Sequence, residues 1–115
     1  MVFLPSLARS MEVSVAVLGT EVEDRSISGE GKSFSVSVET IYCFTQIQGG
    51  AGKNIHHVWL REGAEVLHIT LAVGADTWRT WSSKAIAPGM EGAWKVRVQD
   101  EAGALLKEIP FTVTP

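Results

Sequence analysis

The chain has 115 residues, 45% of them hydrophobic and 20% charged, which suits one globular domain and excludes both a disordered chain and a pair of domains. Its formal net charge of -3, with no basic run and no interleaved basic and aromatic patch, excludes nucleic acid or anionic lipid as a partner drawn in by charge. Cys43 is the only cysteine, so no intrachain disulfide can form and the fold must rest on its core.

Residues 1–10 differ in character from the rest of the chain. Val2-Phe3-Leu4 is a short apolar run, and Ser6-Leu7-Ala8 places small residues at the two positions a signal peptidase reads. The segment reads either as a disordered terminus or as the remnant of an export signal or membrane anchor. No other stretch approaches the roughly 20 apolar residues that span a bilayer.

From residue 11 onward, alternation at period two dominates and no window holds a helical i, i+3, i+4 pattern. Val13, Val15 and Val17 alternate with Ser14 and Ala16, predicting a first strand. The acidic stretch Glu21 to Lys32 reads as a solvated loop with at most one residual pairing segment. Phe34, Val36 and Val38 alternate with serines and predict a strand that runs on to Ile47, where both parities become apolar. Gly49-Gly50-Ala51-Gly52-Lys53-Asn54 then predicts a hairpin loop into a strand from Ile55 to Arg61.

Glu62-Gly63 turns the chain into a partner strand with Leu67, Ile69, Leu71 and Val73 on one face. Trp78 to Ser83 reads as extended but irregular, because two tryptophans three residues apart cannot share one strand face. Trp94, Val96 and Val98 form the next alternation. Ile109, Phe111 and Val113 form the last, with Pro110 predicted at an edge or a bulge for lack of a backbone donor. About seven strands separated by turn signals predict a two-sheet β-sandwich in a single domain over residues 11–115. Trp59, on a middle strand, is similar to the core tryptophan of immunoglobulin-like domains, although their paired cysteines are missing.

Chemical motifs are few. The glycine loop before Lys53 lacks the spacing, the following hydroxyl and the helix of a phosphate loop, so it reads as a plain turn. His56 and His57 are neighbours that face opposite sides of a strand, and one of them approaches His68 if the next hairpin pairs. No third ligand stands nearby, so no metal is predicted. Cys43 lies between Tyr42 and Phe44 and reads as a small hydrophobe. Ser82 and Ser83 have no nucleophile elbow and no acidic neighbour.

The densest feature is Trp78-Arg79-Thr80-Trp81-Ser82-Ser83-Lys84, which packs two indoles, two cations and three hydroxyls into seven residues. It reads either as a structural corner, with a cation stacked on an indole and hydroxyls capping backbone groups, or as a binding surface rich in hot-spot residue types.

Four blocks carry a family resemblance: Ile41-Tyr42-Cys43-Phe44-Thr45, Ile55-His56-His57-Val58-Trp59, Trp78 through Lys84, and Gly92-Ala93-Trp94-Lys95-Val96. Together they resemble the bacterial family called domain of unknown function 2914, over roughly residues 12 to 114. The resemblance implies a compact β-domain, often placed after a membrane anchor or signal in longer bacterial proteins, and it implies no catalytic role. The matching polar and aromatic positions are His57, Trp59, Trp78, Arg79, Thr80, Trp81, Ser82, Ser83 and Lys84, whereas Leu60 stands where members commonly have tyrosine.

The expectation is therefore an all-β, immunoglobulin-like antiparallel sandwich, non-enzymatic and without cofactor or metal. It would act as a recognition or accessory module in the periplasm or cell envelope, binding a protein partner through Trp78, Arg79, Trp81, Ser82, Ser83, Lys84 and His57. The alternative is a carbohydrate-binding domain with tryptophan platforms, and a third reading is a thiol-dependent enzyme using Cys43 and a histidine. Homodimerisation through an unprotected first or last strand is a further expectation, and no membrane insertion is expected from this segment.

Overall fold

The computed structural model describes residues 11–115, so the reading of residues 1–10 lies outside the described residues. Ten strands follow in order: β1 (Glu12–Gly19), β2 (Glu21–Glu23), β3 (Ser26–Ser28), β4 (Ser33–Ser35), β5 (Thr40–Gln48), β6 (Asn54–Arg61), β7 (Ala64–Ala72), β8 (Thr77–Ala85), β9 (Gly92–Gln99) and β10 (Leu105–Thr114). A three-stranded sheet in the order β1-β5-β8 faces a five-stranded sheet in the order β4-β10-β9-β6-β7, and β2 and β3 form a separate hairpin. Every pairing is antiparallel except β4 with β10.

This is the immunoglobulin-like arrangement. β5, β6, β8 and β9 take the places of strands B, C, E and F, and a buried tryptophan, Trp59, occupies the strand-C position. Cys43 lies on the strand-B equivalent, without a second cysteine to bridge to.

The seven expected strands correspond to the seven long ones, and the differences lie in the connections. The predicted strand from Ser33 to Ile47 is broken. After β4 the chain makes a 3-10 turn at Val36–Val38, where the Ser35 hydroxyl accepts from the Ser37 N–H. Glu39 then takes a left-handed φ of 67°, and the chain crosses from the five-stranded to the three-stranded sheet. Alternation survives this switch because Val36 and Val38 still pack on the core, so pattern alone misses it.

The Gly49–Lys53 loop is likewise no hairpin, since β5 and β6 belong to different sheets. It is tied instead to the β7–β8 connection, through Gly49 N–H to Asp76 O and a reciprocal pair between Gly52, Lys53 and Val73. The predicted solvated loop at Glu21–Lys32 contains the β2–β3 hairpin. The last strand is an edge over most of its length, because β4 covers only its C-terminal end, Thr112–Thr114. The other open edges of the two sheets are β1, β8, β4 and β7. Pro110 falls on the part of β10 that β4 does not reach, so its missing donor costs no ladder bond.

The core lies between the sheets. Ile41, Cys43 and Ile47 from β5 face Ile55 and Trp59 from β6, Trp94, Val96 and Val98 from β9, and Ile109, Phe111 and Val113 from β10. Phe111 is the aromatic centre, with ring centroids 6.0 Å from Trp59, 6.2 Å from Phe34 and 5.8 Å from Trp94. Phe111→Ala removes all three contacts and leaves a cavity that surrounding rings cannot fill. It should lower stability by about 3–5 kcal/mol, read as a reduced urea midpoint at unchanged slope.

Candidate functional site

The Trp78–Lys84 stretch is the middle of β8, and it is regular rather than irregular: all nine residues of the strand pair with β5 without a register shift. The pleat divides it. Trp78, Thr80, Ser82 and Lys84 pair with Ile47, Thr45, Cys43 and Ile41 and point toward the five-stranded sheet, whereas Arg79, Trp81 and Ser83 point outward. The two tryptophans do lie on opposite faces, which a regular strand satisfies without irregularity. The seven residues expected to share one surface therefore fall into an interior half and an exterior half.

In the interior half, His57 is 0% exposed, because it shares a strand face with Ile55 and Trp59 on β6. Its placement on a binding surface is corrected accordingly. Its Nδ1 lies 2.7 Å from Ser82 Oγ and its Nε2 lies 3.1 Å from Thr45 Oγ1. Trp59 Nε1 donates to Ser82 Oγ at 3.0 Å, and Thr45 Oγ1 donates to the Thr80 carbonyl at 2.9 Å.

These contacts fix every proton. The single Thr45 hydroxyl hydrogen goes to Thr80, so His57 must donate from Nε2. A neutral ring then has a bare Nδ1, which accepts from Ser82, whose oxygen in turn accepts from Trp59. The result is one directional chain linking the sheets, and among the described residues no buried side-chain polar atom lacks a partner.

A second proton on His57 would aim two donors at Ser82 and leave its hydroxyl hydrogen without an acceptor. Burial also disfavours the charge, and it lowers the His57 pKa to about 4. The Ser82–His57 distance is that of a nucleophile and its base, but Ser82 is 6% exposed and its oxygen is already occupied by the indole N–H. Cys43 is fully buried, and burial pushes its thiol well above the ordinary range, so it stays protonated.

The exterior half joins a wider surface. Val17, Phe44 and Trp81 form a row across β1, β5 and β8, and Val15, Gln46 and Arg79 form the next. Phe44 and Trp81 stack with centroids 6.1 Å apart and planes at 12°. The β2–β3 hairpin folds beside this face. Its turn residues Asp24 and Arg25 both take left-handed φ, 47° and 59°, as a tight two-residue hairpin requires.

That turn brings Arg25 over Trp78, with the guanidinium carbon 4.7 Å from the ring centroid. Arg25 Nη2 donates to the Arg79 carbonyl at 3.3 Å, and Arg79 Nη1 returns a bond to the Arg25 carbonyl at 3.4 Å. The cation on the indole is thus Arg25, not the expected Arg79 or Lys84; Lys84 Nζ donates to its neighbour's carbonyl at Ala85. A groove of about 430 Å³ runs between hairpin and sheet, lined by Val15, Val17, Arg25, Ile27, Phe44 and Arg79 among others.

Arg25 and Phe44 are absent from the expected site. Both had a signal: Glu21-Val22-Glu23 and Ser26-Ile27-Ser28 alternate around a two-residue gap, and Phe44 shares parity with Gln46 against buried Cys43 and Thr45.

Residues 52–113 match the family model described as a protein of unknown function, DUF2914. The chain belongs to the DUF2914 family. The DUF2914 match covers β6 to β10, and so the five-stranded sheet without β4, together with β8; it starts after the Ile41–Thr45 block on β5. It includes His57, Trp59 and Ser82, three of the groups in the interior chain. A comparison with curated proteins finds no match.

Two outcomes are expected of the interior chain. Ser82→Ala strands both the Trp59 N–H and His57 Nδ1 and should cost about 1–3 kcal/mol in urea unfolding. Because the folded His57 pKa, about 4, lies below its unfolded value of 6.5, the unfolded chain takes up the proton first as pH falls. Stability from this group is complete above pH 6.5 and declines by about 3 kcal/mol as pH falls from 6.5 to about 4. His57→Gln should flatten that window in a pH series of unfolding midpoints, leaving only the carboxylate losses at lower pH.

Proposed function

We propose that this chain is a non-enzymatic recognition or accessory module of a bacterial envelope protein, binding a protein partner through the outward face of its three-stranded sheet. One observation carries the reading: Trp81 lies half-buried on that face, stacked on Phe44 and flanked by Arg79. Tryptophan and arginine are the residue types most enriched where binding energy concentrates.

The adjoining groove supports the same face. Its floor of Val15, Val17 and Phe44 would accept an aliphatic side chain, and the guanidinium groups of Arg25 and Arg79 at its rim would meet carbonyl or carboxylate groups of a partner segment. The non-enzymatic reading is supported by the enclosure of Ser82 and by the protonated state of buried Cys43. The envelope setting rests on the apolar opening of the chain and on what the family resemblance implies. Among the described residues no helix is long and apolar enough to cross a membrane.

Photo-crosslinking in cells tests the face directly. A crosslinking residue at exposed Ser83 should capture a discrete protein, and one at exposed Val66, on the other sheet, should not. Trp81→Ala should reduce the Ser83 product severalfold at unchanged fold. Equal capture from both positions, or capture indifferent to Trp81, would contradict the proposal. A glycan-array signal lost on Trp81→Ala would instead select the carbohydrate-binding alternative.

A further inference from the structure

Most of the open edges carry a device that discourages a further strand. β1 has a register shift between Val13 and Val15, and β4 is three residues long. β7 has a shift where Val66 drops out of the pairing with β6, and β10 has Pro110 and a shift of its own. β8 has none of these: its nine residues pair with β5 in unbroken register and include no proline.

Parity shows which groups β8 presents. The Ile86 N–H donates to the Glu39 carbonyl at 2.8 Å, and the Asp76 carbonyl accepts from the Gly49 N–H at 2.8 Å. Both ends of the pairing thus agree that even-numbered residues bond toward β5. Thr77, Arg79, Trp81, Ser83 and Ala85 therefore turn their N–H and C=O groups to the open edge. Arg25 reaches the Arg79 carbonyl and Lys84 that of Ala85. Between them Trp81 and Ser83 offer both groups, with no strand beside them among the described residues.

The space beyond β8 is the place of strand D. Immunoglobulin constant-type sandwiches set D beside E, whereas here β8, in the place of E, ends its sheet. β8 covers β6, where Ser82 meets His57. Leu67, Ile69 and Leu71 pair with Trp59, His57 and Ile55 and share their inward face, yet they are only half-buried where those three are enclosed. The uncovered width is that of β7 alone. A strand laid about 4.8 Å beyond β8 would stand over it.

Charge defines what fits. Neither β5 nor β8 contains a carboxylate, while β8 carries Arg79 and Lys84 and has Arg25 beside it. A second copy of β8 would bring the same cations to the edge. We propose that the β8 edge takes up an extended segment of the protein partner, antiparallel to β8, in which apolar residues alternate with acidic ones. Its main chain bonds to Trp81 and Ser83, its apolar side chains cover Leu67, Ile69 and Leu71, and its carboxylates stand beside Arg79 and Arg25. The added strand widens the outward face next to Trp81, so this inference rests on the reading of that face as a protein interface.

Amide NMR of the full chain, titrated with a synthetic peptide alternating valine and glutamate over the nine-residue length of β8, tests this. The peptide should saturate below about 1 mM, slow hydrogen exchange at Trp81 and Ser83, and leave Glu108 on the β10 edge unchanged. Replacing its glutamates by lysine should weaken binding at least about tenfold. N-methylating those glutamates, whose N–H groups face β8, should abolish saturation. Ser83→Pro removes an N–H that makes no bond to β5, so the variant should keep its urea midpoint and bind at least about tenfold more weakly.

No saturation in that range, indifference to N-methylation, or full binding by folded Ser83→Pro would overturn the edge site. Loss on Trp81→Ala with full binding by Ser83→Pro would leave the outward face standing without it. Loss on Ser83→Pro with none on Trp81→Ala would uphold the edge and fail the outward face. Slowed exchange at Trp81 that grows with the concentration of the chain alone would place a second copy there and overturn the proposal.

Discussion

The structure depends on one neutral imidazole placed between two sheets. Apolar packing holds a sandwich together but is indifferent to small slides of one sheet over the other. The chain from Trp59 through Ser82, His57 and Thr45 to the Thr80 carbonyl is directional, and each link accepts only one polarity. A slip of β8 by one residue would present Arg79, Trp81 and Ser83 to the core and strand His57 among them. The chain therefore specifies register where hydrophobicity alone would leave latitude.

The same constraint shapes the exterior. Once Thr80 and Ser82 are committed inward, Arg79, Trp81 and Ser83 must emerge, and Phe44 emerges beside them from the neighbouring strand. The β2–β3 hairpin completes that face, its turn carrying Arg25 across to Trp78 and the Arg79 backbone. Interior order and exterior surface are two consequences of one pleat. The outward face of the opposite sheet, with His56 and His68, obeys the same parity on β6, where His57 turns in and His56 turns out.

Much of this was legible in the residues. Period-two patterning of Leu67–Val73, Trp94–Val98 and Ile109–Val113 located those strands and their buried faces, because a half-buried strand must alternate, whereas Ile41–Phe44 is apolar at both parities and does not mark which face turns inward. Trp59 pointed to the immunoglobulin-like layout. What stayed hidden were the sheet switches. Phe34, Val36 and Val38 alternate whether the chain continues as a strand or turns through a 3-10 segment onto the same core, and the glycines at 49, 50 and 52 serve a crossover as well as a hairpin.

The burial of His57 was half-legible. Its parity with Ile55 and Trp59 placed it inward, but a polar ring is retained inside only when partners arrive from another strand. Those partners, Thr45 and Ser82, lie 12 and 25 residues away and no local pattern announces them.

The most direct test of this picture is nitrogen-15 NMR of the His57 ring across a pH series. A proton resident on Nε2, a bare Nδ1, and a ring that stays uncharged until about pH 4 are expected. A proton resident on Nδ1, or titration near the ordinary imidazole value, would mean that the sheets are not joined in this way.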